Sequence, residues 1–86
     1  MYKTILSPQA LQDISKLDKA VAQRIIDKLE WLAENFDVLT PIALTGTLID
    51  YYKLRVGDWR VIYSLKTESG TININRIKHR SEAYKQ

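Results

Sequence analysis

Leu54-Arg55-Val56-Gly57-Asp58-Trp59-Arg60-Val61-Ile62-Tyr63 decides how this chain folds. Two β-leaning runs flank Gly57-Asp58, a pair suited to a two-residue hairpin turn in which glycine supplies the positive φ. Fixing the turn there fixes the register. Val56 faces Trp59, Arg55 faces Arg60, Leu54 faces Val61, Lys53 faces Ile62 and Tyr52 faces Tyr63. Strand side chains alternate between faces, so Tyr52, Leu54, Val61 and Tyr63 form the core face. Tyr51, Lys53, Arg55, Arg60, Ile62 and Ser64 take the other. Like charges directly opposite each other destabilise a sheet, and an anionic ligand would offset the cost of Arg55 facing Arg60. The residues also allow a plainer arrangement, in which the guanidiniums extend into water or are neutralised by Asp58.

Working outward, Arg76-Ile77-Lys78-His79-Arg80 is a second basic cluster, with Tyr84 beyond it. Ile72 and Ile74 fit the core face opposite Leu65 and Tyr63. Strict alternation would then send Arg76 and Lys78 to the same side, where a buried lysine is unfavourable. Either a bulge near Asn75-Arg76 or an end to the strand by Ile77 resolves the conflict. Upstream, Tyr2 to Leu6 reads as a strand, and Ser7-Pro8 is a helix start: serine caps and proline takes the first helical position. Leu11, Ile14 and Leu17 recur at helical spacing with Ala10 beside them. Asp18 reads as a second N-cap. Val21, Ile25, Leu29, Leu32 and Phe36 then form one apolar stripe, widened by Ile26 and Ala33. Asn35-Phe36-Asp37 and Pro41 end the helix, and Ile42 to Gly46 is a loop or short irregular strand. The expected architecture is α+β: an N-terminal strand, an αα-hairpin and a three-stranded antiparallel meander, with both helices on one face of the sheet.

Eighty-six residues make a single domain, taken as residues 1–86, with 45% apolar and 27% charged residues as in ordinary globular proteins. There is no cysteine, which excludes disulfides, thiolate metal sites and thiol catalysis. One histidine makes a zinc site implausible, and Asp13, Asp27, Asp37 and Asp50 lack the spacing of a two-metal cluster. Gly46, Gly57 and Gly70 are too scattered for a phosphate-cradling loop. No signal-peptide pattern or membrane-length apolar run is present, so a cytoplasmic location is expected. Charge is uneven: residues 1–50 hold five Lys/Arg against seven Asp/Glu, residues 51–86 eight against three, for a net +3. A basic C-terminal half suggests a polyanionic partner, although a solvated Lys/Arg surface would have the same composition.

The hairpin block, Leu44-Thr45-Gly46 before it, the Arg76–Arg80 cluster with Tyr84, and the element order together resemble the RelE/ParE toxin superfamily over nearly the whole length. The resemblance implies a toxin encoded with an antitoxin that wraps it. RelE-like members cleave mRNA in the ribosomal A site without a metal, whereas ParE-like members inhibit DNA gyrase. Carried over by position, Lys53 matches a sheet lysine, Arg60 the third-strand arginine, Lys78 a later basic site that is usually arginine, and Tyr84 a C-terminal tyrosine. Tyr51 stands where the best-known RelE-type site has another lysine, and little of a C-terminal helix remains after Tyr84.

Metal-free RNA cleavage is an internal transfer in which the 2′-OH attacks the adjacent phosphorus and the 5′-oxygen leaves. It needs a base, charge stabilisation and an acid. Lys53 is the expected base. Free lysine has a pKa of about 10.4, which crowding by Arg55 and Arg60 would lower. Arg60 would clamp the phosphate. Lys78 or His79 would protonate the leaving oxygen, and the resemblance favours Lys78. Tyr84 would stack on a base or orient the 2′-OH. The expected catalytic set is Lys53, Arg60, Lys78 and Tyr84, and the expected RNA contacts are Arg55, His79, Arg80 and Tyr51. No cofactor, metal or membrane is called for, and the expected partners are an antitoxin, mRNA and the ribosome. The other readings are a ParE-like gyrase inhibitor and a catalytically inactive antitoxin-binding module.

Overall fold

A computed structural model describes residues 2–38, 42–43 and 51–83 of the chain. Tyr84 and Leu44-Thr45-Gly46 lie outside the described residues. The elements run β1 (Lys3–Leu6), α1 (Pro8–Ser15), α2 (Lys19–Asn35), β2 (Ile42–Ala43), β3 (Tyr52–Val56), β4 (Trp59–Lys66), β5 (Thr71–His79) and a one-turn α3 (Arg80–Ala83). The strands form one sheet in the order β1-β5-β4-β3-β2. β3, β4 and β5 are the antiparallel meander, and β1 joins it parallel to β5. Two-residue β2 adds a short antiparallel edge opposite Tyr52 and Lys53. Among the described residues no helix is long and apolar enough to cross a membrane.

The helices start where the sequence marks them. Ser7 caps α1 by accepting from the Ala10 N–H at 3.1 Å, with Pro8 in the first turn. Asp18 occupies the N-cap position of α2, but its side chain makes no capping hydrogen bond. Ile25, Leu29, Leu32 and Phe36 are buried against Val56, Val61, Tyr63, Ile72, Ile74 and Ile77 from the sheet. Two apolar residues depart from the expected stripes. Leu11 is 54% exposed, because the buried line of α1 runs through Ala10 and the partly buried Ile14, continued past the helix by Leu17. Ile26 is 39% exposed, since Ile25 one position earlier centres the buried face of α2. Aromatic packing ties the layers: Phe36 meets Tyr63 edge-on at 6.4 Å, and Tyr52 stacks on Tyr63 at 5.6 Å.

The β3–β4 register matches the expected pairing residue for residue, from Tyr52↔Tyr63 to Val56↔Trp59. Gly57 carries the positive φ, +60°, and Asp58 does not, so the strain-free residue sits at the first turn position. On β5 the alternation conflict is resolved by a bulge. Tyr63 pairs with Ile74 and Ile62 with Arg76, leaving Asn75 as the extra residue. Past it the faces switch, so Ile77 drops into the core opposite Val61 while Lys78 lies opposite Arg60. The bulge is held from the β1–α1 corner. The Ser7 N–H donates to Ile74 O at 2.9 Å, and the Ser7 hydroxyl donates to Asn75 O at 2.8 Å.

Candidate nucleic-acid interface

Register brings the basic residues onto one sheet face in two rows. Arg55, Arg60 and Lys78 are consecutive partners across β3, β4 and β5. Lys53, Ile62 and Arg76 form the adjoining row. Neighbouring strands lie about 4.7–4.9 Å apart, so the side chains of a row stand close together. Lys53 and Lys78 are each half-buried, which leaves part of each side chain open. Tyr51, half-buried, immediately precedes β3.

Arg60 departs from the expectation of an open cation: it is only 7% exposed. Its Nη1 donates a long hydrogen bond, 3.4 Å, to Trp59 O. A guanidinium enclosed this far is a fixed positive centre in the row, and its neighbours Arg55 and Lys78 supply the more accessible charge. Arg55 is exposed, but its Nε turns back to donate to Gly57 O at 3.3 Å.

The rest of the C-terminal basic cluster is divided. Arg76 is removed from the open charge by Asp13 of α1, whose carboxylate takes Arg76 Nε at 2.8 Å and Nη2 at 3.1 Å. The same carboxylate accepts the Ile77 backbone N–H at 2.8 Å, capping β5 just past the bulge, where β1 has ended. Burial raises the Asp13 pKa. The Arg76 and Ile77 hydrogen bonds and the guanidinium charge outweigh it, and the carboxyl sits below its ordinary value. The same pairing raises Arg76. Sequence inspection missed Asp13, which is separated from Arg76 by 63 positions and looks like an ordinary polar residue of an amphipathic helix.

His79 is paired with Trp59, on the opposite face from Lys78, and its ring meets the indole edge-on at 5.1 Å. The Ser81 backbone N–H donates to His79 Nδ1 at 3.3 Å. A backbone N–H only donates, so this arrangement assigns the neutral ring's proton to Nε2. Arg80 is exposed beside the hairpin turn, where its N–H donates to Asp58 O at 2.8 Å and its guanidinium lies 3.9 Å from the Asp58 carboxylate. The structure therefore gathers Lys53, Arg55, Arg60 and Lys78 on one face and sets His79 and Arg80 apart. Tyr84 lies outside the described residues.

The family model described as "ParE toxin of type II toxin-antitoxin system, parDE" matches residues 4–84. Among solved structures, the RelBE2 toxin–antitoxin complex of Mycobacterium tuberculosis contains a chain of TM-score 0.83 and 22% identity, covering 92% of this chain and 98% of that one. The archaeal RelE–RelB complex of Pyrococcus horikoshii OT3 contains one of TM-score 0.67 and 31% identity, covering 92% and 94%. Isolated Escherichia coli RelE toxin gives TM-score 0.74 and 20% identity, covering 99% and 97%. No curated protein matches this chain. A family match over nearly the full length, on a fold whose meander aligns the basic residues of three strands, places this chain in the RelE/ParE superfamily of type II toxin–antitoxin toxins.

Proposed function

We propose that this chain is the toxin of a type II pair and acts as a metal-independent endoribonuclease on mRNA in the ribosomal A site, held in check by a cognate antitoxin. The observation that carries the reading is the clustering of Lys53, Arg60 and Lys78 on one face of three adjacent strands. In this reading Lys53 takes the 2′-OH proton as the oxygen attacks phosphorus. Arg60, fixed by its burial, stabilises the extra charge on the phosphorane. Lys78 gives a proton to the departing 5′-oxygen. Tyr84 orients the nucleotide, with Arg55, Tyr51, His79 and Arg80 as outlying RNA contacts. The antitoxin would be partly disordered alone and would bring acidic residues to the basic face. Its presence is supported by the RelE–RelB complex of the 31%-identical archaeal relative.

A second reading is favoured by the description of the matching family model as a ParE toxin: a gyrase inhibitor that binds without cutting. Induction of the chain in cells, followed by mapping of mRNA 5′ ends and of plasmid supercoiling, separates the two. Codon-positioned cuts that fall ~100-fold or more in Lys53→Ala and Lys78→Ala variants support the nuclease. Intact mRNA with relaxed plasmid overturns it in favour of gyrase, and continued growth leaves an inactive binding module. Arg60→Lys is the informative change at the buried position, because it keeps the charge and removes the fork.

A further inference from the structure

We propose that the groove between α2 and the β3–β4 turn is an RNA subsite that takes a backbone phosphate and a base of the strand leaving the Arg55–Arg60–Lys78 row; this rests on the ribonuclease reading above. The groove has a volume of about 450 Å³ and is lined by Arg24, Asp27, Lys28 and Trp31 of α2 and by Arg55, Val56 and Gly57 of the hairpin. The four helix residues fall at i, i+3, i+4 and i+7, so they share one face of α2 and point at the turn together. Three cations meet one carboxylate, and Asp27 already accepts from Gln23 Nε2 at 2.9 Å. Among the described residues, no carboxylate lies within ion-pair distance of Arg24, Lys28 or Arg55.

Three features favour RNA over an acidic peptide. Arg55 belongs both to the groove and to the basic row, so the positive surface is continuous from one to the other. Trp31 is 40% exposed, and a base needs such an open ring for stacking. Lys28 Nζ sits 3.8 Å over the centroid of that ring, so a phosphate-binding charge covers one indole face and a base would stack on the other. The turn itself is shaped for this. A Cβ on Gly57 would lie 3.1 Å from Arg24 Nη2, so the bare backbone lets the guanidinium rest against the hairpin.

The test measures fluorescence anisotropy of a short 2′-O-methyl RNA, which cannot be cut, against the full chain over a range of salt. The variants are Arg24→Gln/Lys28→Gln, Trp31→Leu, Lys78→Ala and a remote Lys66→Gln control, each checked for an unchanged urea midpoint. The double variant is expected to lower the log affinity–log salt slope by about 0.7, one single-strand phosphate contact. Trp31→Leu is expected to weaken binding about tenfold at all salts. If both behave like Lys66→Gln while Lys78→Ala weakens binding, the groove proposal is overturned and the ribonuclease reading stands. If Lys78→Ala is also without effect, the ribonuclease reading loses its support as well. If polyglutamate binds more tightly than the RNA and the double variant abolishes that binding alone, the groove belongs to an acidic peptide and the RNA assignment is overturned.

Discussion

Asp13 does three jobs with one carboxylate: it neutralises Arg76, caps the Ile77 N–H and joins α1 to β5. Asp13→Asn keeps the shape and loses the charge. It is expected to cost about 1.5–3 kcal/mol, the range for hydrogen bonds to a charged group, read as a lower urea midpoint at pH 7. Because the native pKa is depressed, the carboxylate's contribution is complete above the unfolded value near 4 and disappears as pH falls through the native one. The gap between wild type and Asp13→Asn should therefore close in acid. Tyr63 behaves in the opposite direction. Burial, with a smaller push from Tyr52, raises its hydroxyl to about 12 from 10. Its stabilising contribution is full below pH 10 and is lost as pH rises toward 12. Alkaline unfolding followed with absorbance at 295 nm should show one tyrosine ionising only as the fold is lost, and Tyr63→Phe should flatten the stability profile above pH 10.

Among the elements, β5 decides whether the basic face exists. Deleting Asn75 would remove the bulge and leave the pairing unchanged, because Ile74, Arg76, Ile77 and Lys78 then alternate directly opposite Tyr63, Ile62, Val61 and Arg60. The expected result is a chain that keeps a sharp thermal transition, at a lower midpoint because the Ser7 hydroxyl loses its bond to Asn75 O. Ser7→Ala is the milder probe. It removes both the α1 cap and the hydrogen bond to Asn75 O and is expected to cost about 1–2 kcal/mol. The hairpin was fully legible beforehand because its turn allows a single register, and each facing pair followed from Gly57-Asp58. The bulge was legible only as one of two options, since Ile72, Ile74, Arg76 and Lys78 keep the same spacing whether or not the ladder slips. What selects the bulge is Ser7 and Asp13, which approach from an element far away in sequence. The enclosure of Arg60 and the exposure of Leu11 and Ile26 were illegible for a similar reason. Both depend on what packs over a residue, and periodicity records only which way it points.

At the scale of the whole molecule, one apolar layer between two helices and a twisted sheet holds everything in place, centred on Ile25, Leu32, Val61, Tyr63, Ile72 and Ile74. Leu32→Ala, at a fully buried position, is expected to cost about 2–5 kcal/mol in chemical denaturation. β1 finds its only ladder partner among the described strands in β5, with Lys3 beside Thr71 and Leu6 beside Ile74. A chain ending before Thr71 should accordingly lack cooperative structure by circular dichroism, although it retains both helical segments. This pairing of the earliest strand with one of the latest has a temporal meaning. During synthesis the first strand must wait, unpaired, until Thr71 to Ile74 have emerged, and closing so long a loop makes assembly of the sheet a late event. The basic row inherits the same timing, because Lys78 has no fixed place beside Arg60 until β5 has joined the sheet.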